Sequence, residues 1–127
     1  MSNLKAEVIK YSKKLNTTNL SALRSGNISL RVKEKGVEGF YITPSGRKYS
    51  SLKPKDIVFV SLKGIYDKKK GKPSSEWRFH QDIYVNKKEA KAIVHAHSTW
   101  ATAVSSNQKN IPAFHYMVAV AGGEDLK

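Results

Sequence analysis

The 127 residues predict an α/β sandwich with helices flanking one sheet. Three observations carry this. Apolar residues recur at helical spacing near the N-terminus, alternate with a period of two in the next segment, and run almost unbroken in a third. Helical and extended patterns then alternate along the chain without an internal repeat.

The helical spacing is that of Leu4, Val8, Tyr11 and Leu15, which predicts an amphipathic helix over 3–16 with its lysines toward solvent. A polar break at NTTN follows, then LSALRSGNISLRV. There Ser25-Gly26-Asn27 reads as a turn and Ile28, Leu30 and Val32 as one side of a strand. GFYITPSG predicts a short strand ending in a Pro-Ser-Gly turn, and DIVFVSL a buried strand rich in β-branched and aromatic residues. YDKKKGKP is a charged surface loop. From Ser74 the pattern turns helical, with Ser74 or Ser75 as cap, Glu76 in the first turn where the helix dipole favours an anion, and Phe79, Ile83 and Tyr84 on the apolar side. Glu76 and His80 then share a face. KAIVHAHS predicts a strand, a helix should start at Ser98 and run through WATAVSS, and a second short element is expected around IPAFHYMVAVAGG.

Composition narrows the class. One domain fits the length, and 39% hydrophobic content supports a core. The net charge of +13 makes nucleic acid, an anionic membrane surface or a phosphorylated substrate the partners to consider. Of 23 basic residues 19 are lysines, scattered from Lys5 to Lys127, with no basic and aromatic interleaving and no nucleic-acid motif. The reading is therefore a solvated lysine surface, with neither nucleic acid nor membrane as partner. Cysteine is absent, so disulfides and thiolate metal sites are excluded and any metal must use nitrogen and oxygen ligands. The longest apolar stretch, MVAVA, is far short of the ~20 residues of a membrane span, and a cytoplasmic protein is expected.

The chemistry concentrates in SSEWRFHQDIYVNKKEAKAIVHAHSTW. In a strand, residues i and i+2 point to the same side, so His95 and His97 project together. Neighbouring imidazoles can fill two corners of a tetrahedral metal site at about 2.0 Å; equally, one can be a core histidine and the other exposed. Glu76, at a helix start, can reach the end of such a strand as ligand or base, or can simply compensate the helix dipole. Ser74-Ser75, with turns at Ser25-Gly26-Asn27 and Ser45-Gly46, offers backbone N–H groups and hydroxyls suited to a phosphate if the three segments converge.

Taken in order, SGNISLR, GFYITPSG, DIVFV, PSSEWRFH, IVHAHS and IPAFHYM resemble the class II aldolase and adducin family, most closely its L-fuculose-1-phosphate aldolase branch. The resemblance covers nearly the whole of residues 1–127. It implies a single-domain three-layer α/β/α sandwich around a mostly antiparallel sheet, assembled as a homotetramer, with Zn2+ bound by three histidines. It implies that His95 and His97 are metal ligands and that Glu76 is the metal-proximal acid/base. Gly26, Asn27, Ser45, Gly46, Ser74 and Ser75 match the substrate-phosphate pocket, and Tyr116 matches a proton donor and acceptor at the aldehyde end of a site between subunits. The implied reaction cleaves a phosphorylated ketose to dihydroxyacetone phosphate and an aldehyde such as lactaldehyde. Arg24 departs from the threonine common in this branch. The family's third histidine belongs to an HHG-like motif several tens of residues beyond Tyr116, so a chain lacking its C-terminal segment, and inactive as it stands, is expected. His80 and His115 do not match the third ligand position; His80 is expected to pack or to orient Glu76, and His115 to order the loop before Tyr116. Rival activities in the family are a sugar-phosphate 4-epimerase, whose branch generally has Asp at the Glu76 position, and a methylthioribulose-phosphate dehydratase. The non-enzyme rivals are an adducin-like interaction domain and a basic nucleic-acid module.

Overall fold

The computed structural model describes residues 3–112 and 116–120, which fall into two compact units divided between Ala96 and His97. In the first unit, α1 (Leu4–Thr17) starts at Asn3, whose side chain accepts from the Ala6 N–H at 3.3 Å. Val8, Ile9 and Leu15 form its buried stripe. Between them Ser12 satisfies its own buried hydroxyl by donating to the Val8 carbonyl at 2.6 Å.

Among the described residues four strands make one sheet: β1 (Asn27–Glu34), β2 (Val37–Ile42), β3 (Val58–Ser61) and β4 (Ala92–His95), in the order β3-β2-β1-β4 with every neighbouring pair antiparallel. The second helix, α2 (Trp77–Asn86), connects β3 to β4. Strand alternation sends Ile28, Leu30 and Tyr41 to one face, where they pack with Val8, Ile9 and Leu15 of α1 and with Tyr49, Leu52 and Ile57. It sends Phe40, Ile42, Val58, Val60 and Ile93 to the other, where they pack with Tyr84 and Trp77 of α2. Helix, sheet and helix are therefore stacked as three layers within this unit, as the sequence predicts. Each fully buried side chain of this size contributes about 1.5–3 kcal/mol by leaving water.

The second unit holds α3 (Thr99–Ser106), for which the expected start Ser98 is the N-cap residue, and α4 (Tyr116–Val120). No helix among the described residues is long and apolar enough to cross a membrane.

Three expectations need correction. The strand expected over KAIVHAHS ends at His95, so His97 does not project from it. The register explains why: Asn27 opens β1 and pairs with His95, and residue 97 would have to pair inside the Ser25-Gly26 turn, where the Gly26 φ of +81° turns the chain away. The strand expected over DIVFVSL begins only at Val58, because Pro54–Asp56 forms a short 3₁₀ turn in which Asp56 caps the Lys53 N–H. Finally, Glu76 is the N-cap residue of α2 rather than part of its first turn, and its side chain makes no cap hydrogen bond. Ser74, expected as a cap, instead accepts from the Glu76 N–H at 3.4 Å.

Candidate metal and carboxylate site

The β1–β4 register sets Asn27 directly opposite His95 on the α2 face of the sheet. Because Glu76 sits just before the first turn of α2, its carboxylate is not spent on that helix and turns to the strand ends. Its Oε1 lies 3.4 Å from His95 Nε2, and its Oε2 accepts from the Asn27 side-chain amide at 2.5 Å. Phe79, three residues along α2, meets the His95 ring edge-on at 5.2 Å between centroids and stacks on His80 at 4.4 Å.

Beneath this pair lies a buried polar spine. His80 is fully buried; its Nε2 bonds the Asn27 side-chain oxygen and its Nδ1 lies 2.7 Å from the Ser29 hydroxyl, which is 2.8 Å from the Tyr84 hydroxyl. Burial, and secondarily the nearness of His95, lowers the His80 pKa to about 4, so the ring is neutral at physiological pH.

His97 opens the second unit two residues after His95, a separation that chain connectivity keeps short. Glu76, His95 and His97 each offer one ligand atom, and these atoms lie within 4.8 Å of one another. Two imidazole nitrogens and one carboxylate oxygen make a donor set that suits a divalent ion accepting both, with a position left for a substrate oxygen.

The three segments singled out for a phosphate do converge. Pro44 and Pro73 bridge the Ser45-Gly46 turn to the Ser74-Ser75 segment, and Arg24 donates from its guanidinium to the Gly46 carbonyl at 2.9 Å. Convergence has a cost in donors. The Ser45 N–H is spent on the Lys72 carbonyl at 3.0 Å and the Ser74 N–H on the Thr43 carbonyl at 2.9 Å. Ser74 is buried, whereas Ser75 and Gly46 are exposed. Asn27, grouped with the phosphate pocket on sequence, has its amide side chain committed to Glu76 and His80. Gly26 has no substitute, since a Cβ there would lie 2.6 Å from the His95 carbonyl oxygen and 2.8 Å from the Ser21 hydroxyl. Tyr116 stands on α4 in the second unit, and His115 falls outside the described residues.

A family model described as the Class II Aldolase and Adducin N-terminal domain matches residues 6–127. The chain belongs to this family. Among its class II aldolase relatives, it is 40% identical over 98% of its length to a 5-methylthioribulose-1-phosphate/5-deoxyribulose-1-phosphate aldolase of Rhodospirillum rubrum, covering 54% of that protein. It is 38% identical over 97% of its length to the L-fuculose phosphate aldolase of Escherichia coli strain K12, covering 55% of it. A solved L-fuculose 1-phosphate aldolase superposes with a TM-score of 0.85 and 39% identity over all of this chain and 58% of that one. The chain thus spans about half the length of the curated relatives it matches.

Sequence reasoning missed three residues of this candidate site. Ser29 and Tyr84 belong to the spine under Glu76, and Tyr49, buried beside the Gly26 turn, donates its hydroxyl to the Gly26 carbonyl. Burial, followed by the Glu76 charge, pushes the Tyr49 hydroxyl up to about 12, which keeps it a donor. A signal existed for Ser29 only: it is the small polar residue between two apolar strand positions, in a chain with a second amphipathic helix to cover that face.

Proposed function

We propose that the protein acts as a zinc-dependent aldolase that cleaves a ketose 1-phosphate to dihydroxyacetone phosphate and an aldehyde. The observation that carries this reading is the Glu76 carboxylate held 3.4 Å from His95 Nε2 and ordered by Asn27, beside the convergent turns at Gly26, Gly46 and Ser74. His95 and His97 would hold the metal, with Glu76 next to it. When bound, zinc supplies Lewis-acid stabilisation of the negative charge that develops on the substrate oxygens as the carbon–carbon bond breaks.

The chain's own groups move the protons. Tyr116 takes the hydroxyl proton at the carbon that becomes the aldehyde, and the electron pair of the breaking bond passes to the three-carbon fragment. Glu76 returns a proton to the carbon of that fragment which lost its partner. Arg24, Gly46, Ser45, Ser74 and Ser75 surround the phosphate, with Gly26 shaping the turn beside them. The active assembly is a cytoplasmic homotetramer with Tyr116 working at a subunit boundary; the absence of cysteine fits a reducing compartment.

The substrate reading has two forms. L-fuculose 1-phosphate follows the sequence motifs and the superposed structure, whereas a 5-deoxy- or 5-methylthioribulose 1-phosphate follows the 40% identity to the Rhodospirillum rubrum protein. Both share the phosphorylated three-carbon end and differ in the aldehyde. Incubating the zinc-loaded protein, in a form extended to the length of its relatives, with each ketose phosphate and following dihydroxyacetone phosphate with a coupled dehydrogenase tests the activity. Glu76→Gln should keep metal binding and lower turnover by roughly 10² to 10⁴, the usual worth of a general acid/base. Unchanged turnover would remove Glu76 from the mechanism.

A further inference from the structure

The spine beneath Glu76 has only one consistent direction of hydrogen bonding. An ionised carboxylate only accepts, so the Asn27 group facing Glu76 Oε2 is its NH2, and the Asn27 oxygen faces His80. His80 Nε2 must then carry a proton. In a neutral ring Nδ1 is consequently an acceptor, and the Ser29 hydroxyl, 2.7 Å away, donates to it. The Ser29 hydroxyl has a single proton, and with that proton on Nδ1 it accepts from the Tyr84 hydroxyl at 2.8 Å. No member can reverse without leaving a buried donor or acceptor unpaired.

We propose that His80 is a positioning residue: locked as its Nε2–H tautomer by Ser29 and Tyr84, it fixes Asn27 with the NH2 on Glu76 Oε2 and thereby aims Oε1 at His95. The path is not a proton wire, because a relay through Asn27 would require its amide to gain a proton at oxygen and lose one at nitrogen, and an amide is too weak a base and acid for either; what the spine transmits is orientation. That Glu76 is the reacting carboxylate rests on the aldolase reading above, whereas the orientation itself does not.

Long-range proton–nitrogen correlation spectra of the whole nitrogen-15-labelled chain at pH 7, with His80 assigned by its loss in His80→Gln, read the tautomer directly. The expected result is a neutral His80 protonated at Nε2; an Nδ1–H tautomer or a charged ring would overturn the proposal. The Asn27 NH2 protons supply the second readout. They should be sharp and slow to exchange in the parent and in His80→Gln, whose amide can still donate to Asn27, and lost to broadening in His80→Leu. Identical Asn27 signals in the parent and a folded His80→Leu would overturn the proposal. If His80→Leu does not fold, Ser29→Ala keeps the ring and removes only the donor to Nδ1. His80 should then sample both tautomers, and an unchanged single tautomer would count against the lock. Turnover separates this inference from the reading it rests on: it should fall at least tenfold in His80→Leu with little change in KM and return in His80→Gln. Turnover is read on the form extended to the length of its relatives: if the nitrogen signature stands while that form cleaves no ketose phosphate, the positioning spine holds and the aldolase reading fails.

Discussion

The two faces of β1 carry different kinds of information. On the α1 face Ile28 and Leu30 pack against Val8, Ile9 and Leu15, where hydrophobic size and shape are all that matter. On the α2 face Asn27, Ser29 and Arg31 occupy the alternate positions of the same strand, and each is bonded to α2 or to the segment bounding it. Arg31 stacks over the Tyr84 ring at 4.8 Å and donates to the Tyr84, Lys87 and Ala90 carbonyls, closing the C-terminal end of the helix. One face supplies stability that many apolar sequences could provide; the other supplies direction, which depends on individual donors and acceptors.

Breaking the apolar face should have the largest effect on stability and the least on chemistry. Leu15→Ala, at a fully buried site on α1, should cost about 2–5 kcal/mol by lost transfer energy and an unfilled cavity. Urea denaturation measures the loss. Under conditions where the variant stays folded, its turnover per folded molecule should match the parent. A reduced turnover would show that the two faces are not independent.

The polar face should announce itself through pH. His80 is neutral in the fold, with its pKa lowered from the ordinary 6.5 to about 4. Between those values the unfolded chain binds a proton that the folded chain does not, so its contribution to stability is present above about pH 6.5 and is lost as pH falls toward 4. The slope is about 1.4 kcal/mol per pH unit within that window, roughly 3 kcal/mol in all. Urea midpoints measured at steps from pH 7 to pH 4 for the parent and for His80→Gln test this. The variant should lose that part of the acid sensitivity, and parallel curves would place the charge change on another group.

The same contrast explains what was legible. The α1 face could be read because apolar alternation in β1 and the 3.6-residue period in α1 are one-dimensional patterns. For Ser29 and Arg31 alternation alone is no guide, since alternating polar positions usually mark a wet face, and only the second amphipathic helix hints that Ser29 is covered. Their burial depends on α2 arriving over the sheet, an event encoded 45 or more residues away. Glu76 and His95 were identifiable as a chemically suggestive pair, but the proximity of their side chains follows from the Asn27–His95 register and from Glu76 standing one residue before the helix. The early end of β4 was illegible for a related reason: KAIVHAHS is a good strand sequence, and what stops it is the positive φ of Gly26 in the neighbouring strand's entry turn. Gly26 thereby yields an intermediate prediction. Gly26→Ala should destabilise by about 2–4 kcal/mol, from left-handed backbone strain plus collision with the His95 carbonyl, and should disturb His95 in a nitrogen-15 spectrum. An unshifted His95 would mean that the turn does not govern the strand end.

The smallest stability change and the sharpest discrimination come from Tyr84→Phe. The ring sits fully buried, 5.2 Å from Phe40 and under the Arg31 guanidinium, and phenylalanine keeps both contacts. Only the hydroxyl is lost, so Ser29 loses a donor, for a net cost of about 1–2 kcal/mol. If the α2 face were merely a second packing surface, that would be the whole effect, and the site would be unchanged. As a directed chain it predicts more. Ser29, freed of the proton aimed at it, can rotate its own hydroxyl away from His80, and the preference for the Nε2–H tautomer should weaken. Denaturation and the histidine nitrogen shifts, measured on the same variant, separate these outcomes. A loss near 1 kcal/mol with a mixed His80 tautomer fits a face that transmits orientation, whereas the same loss with an unchanged tautomer would confine Tyr84 to packing and end the directed chain at Ser29.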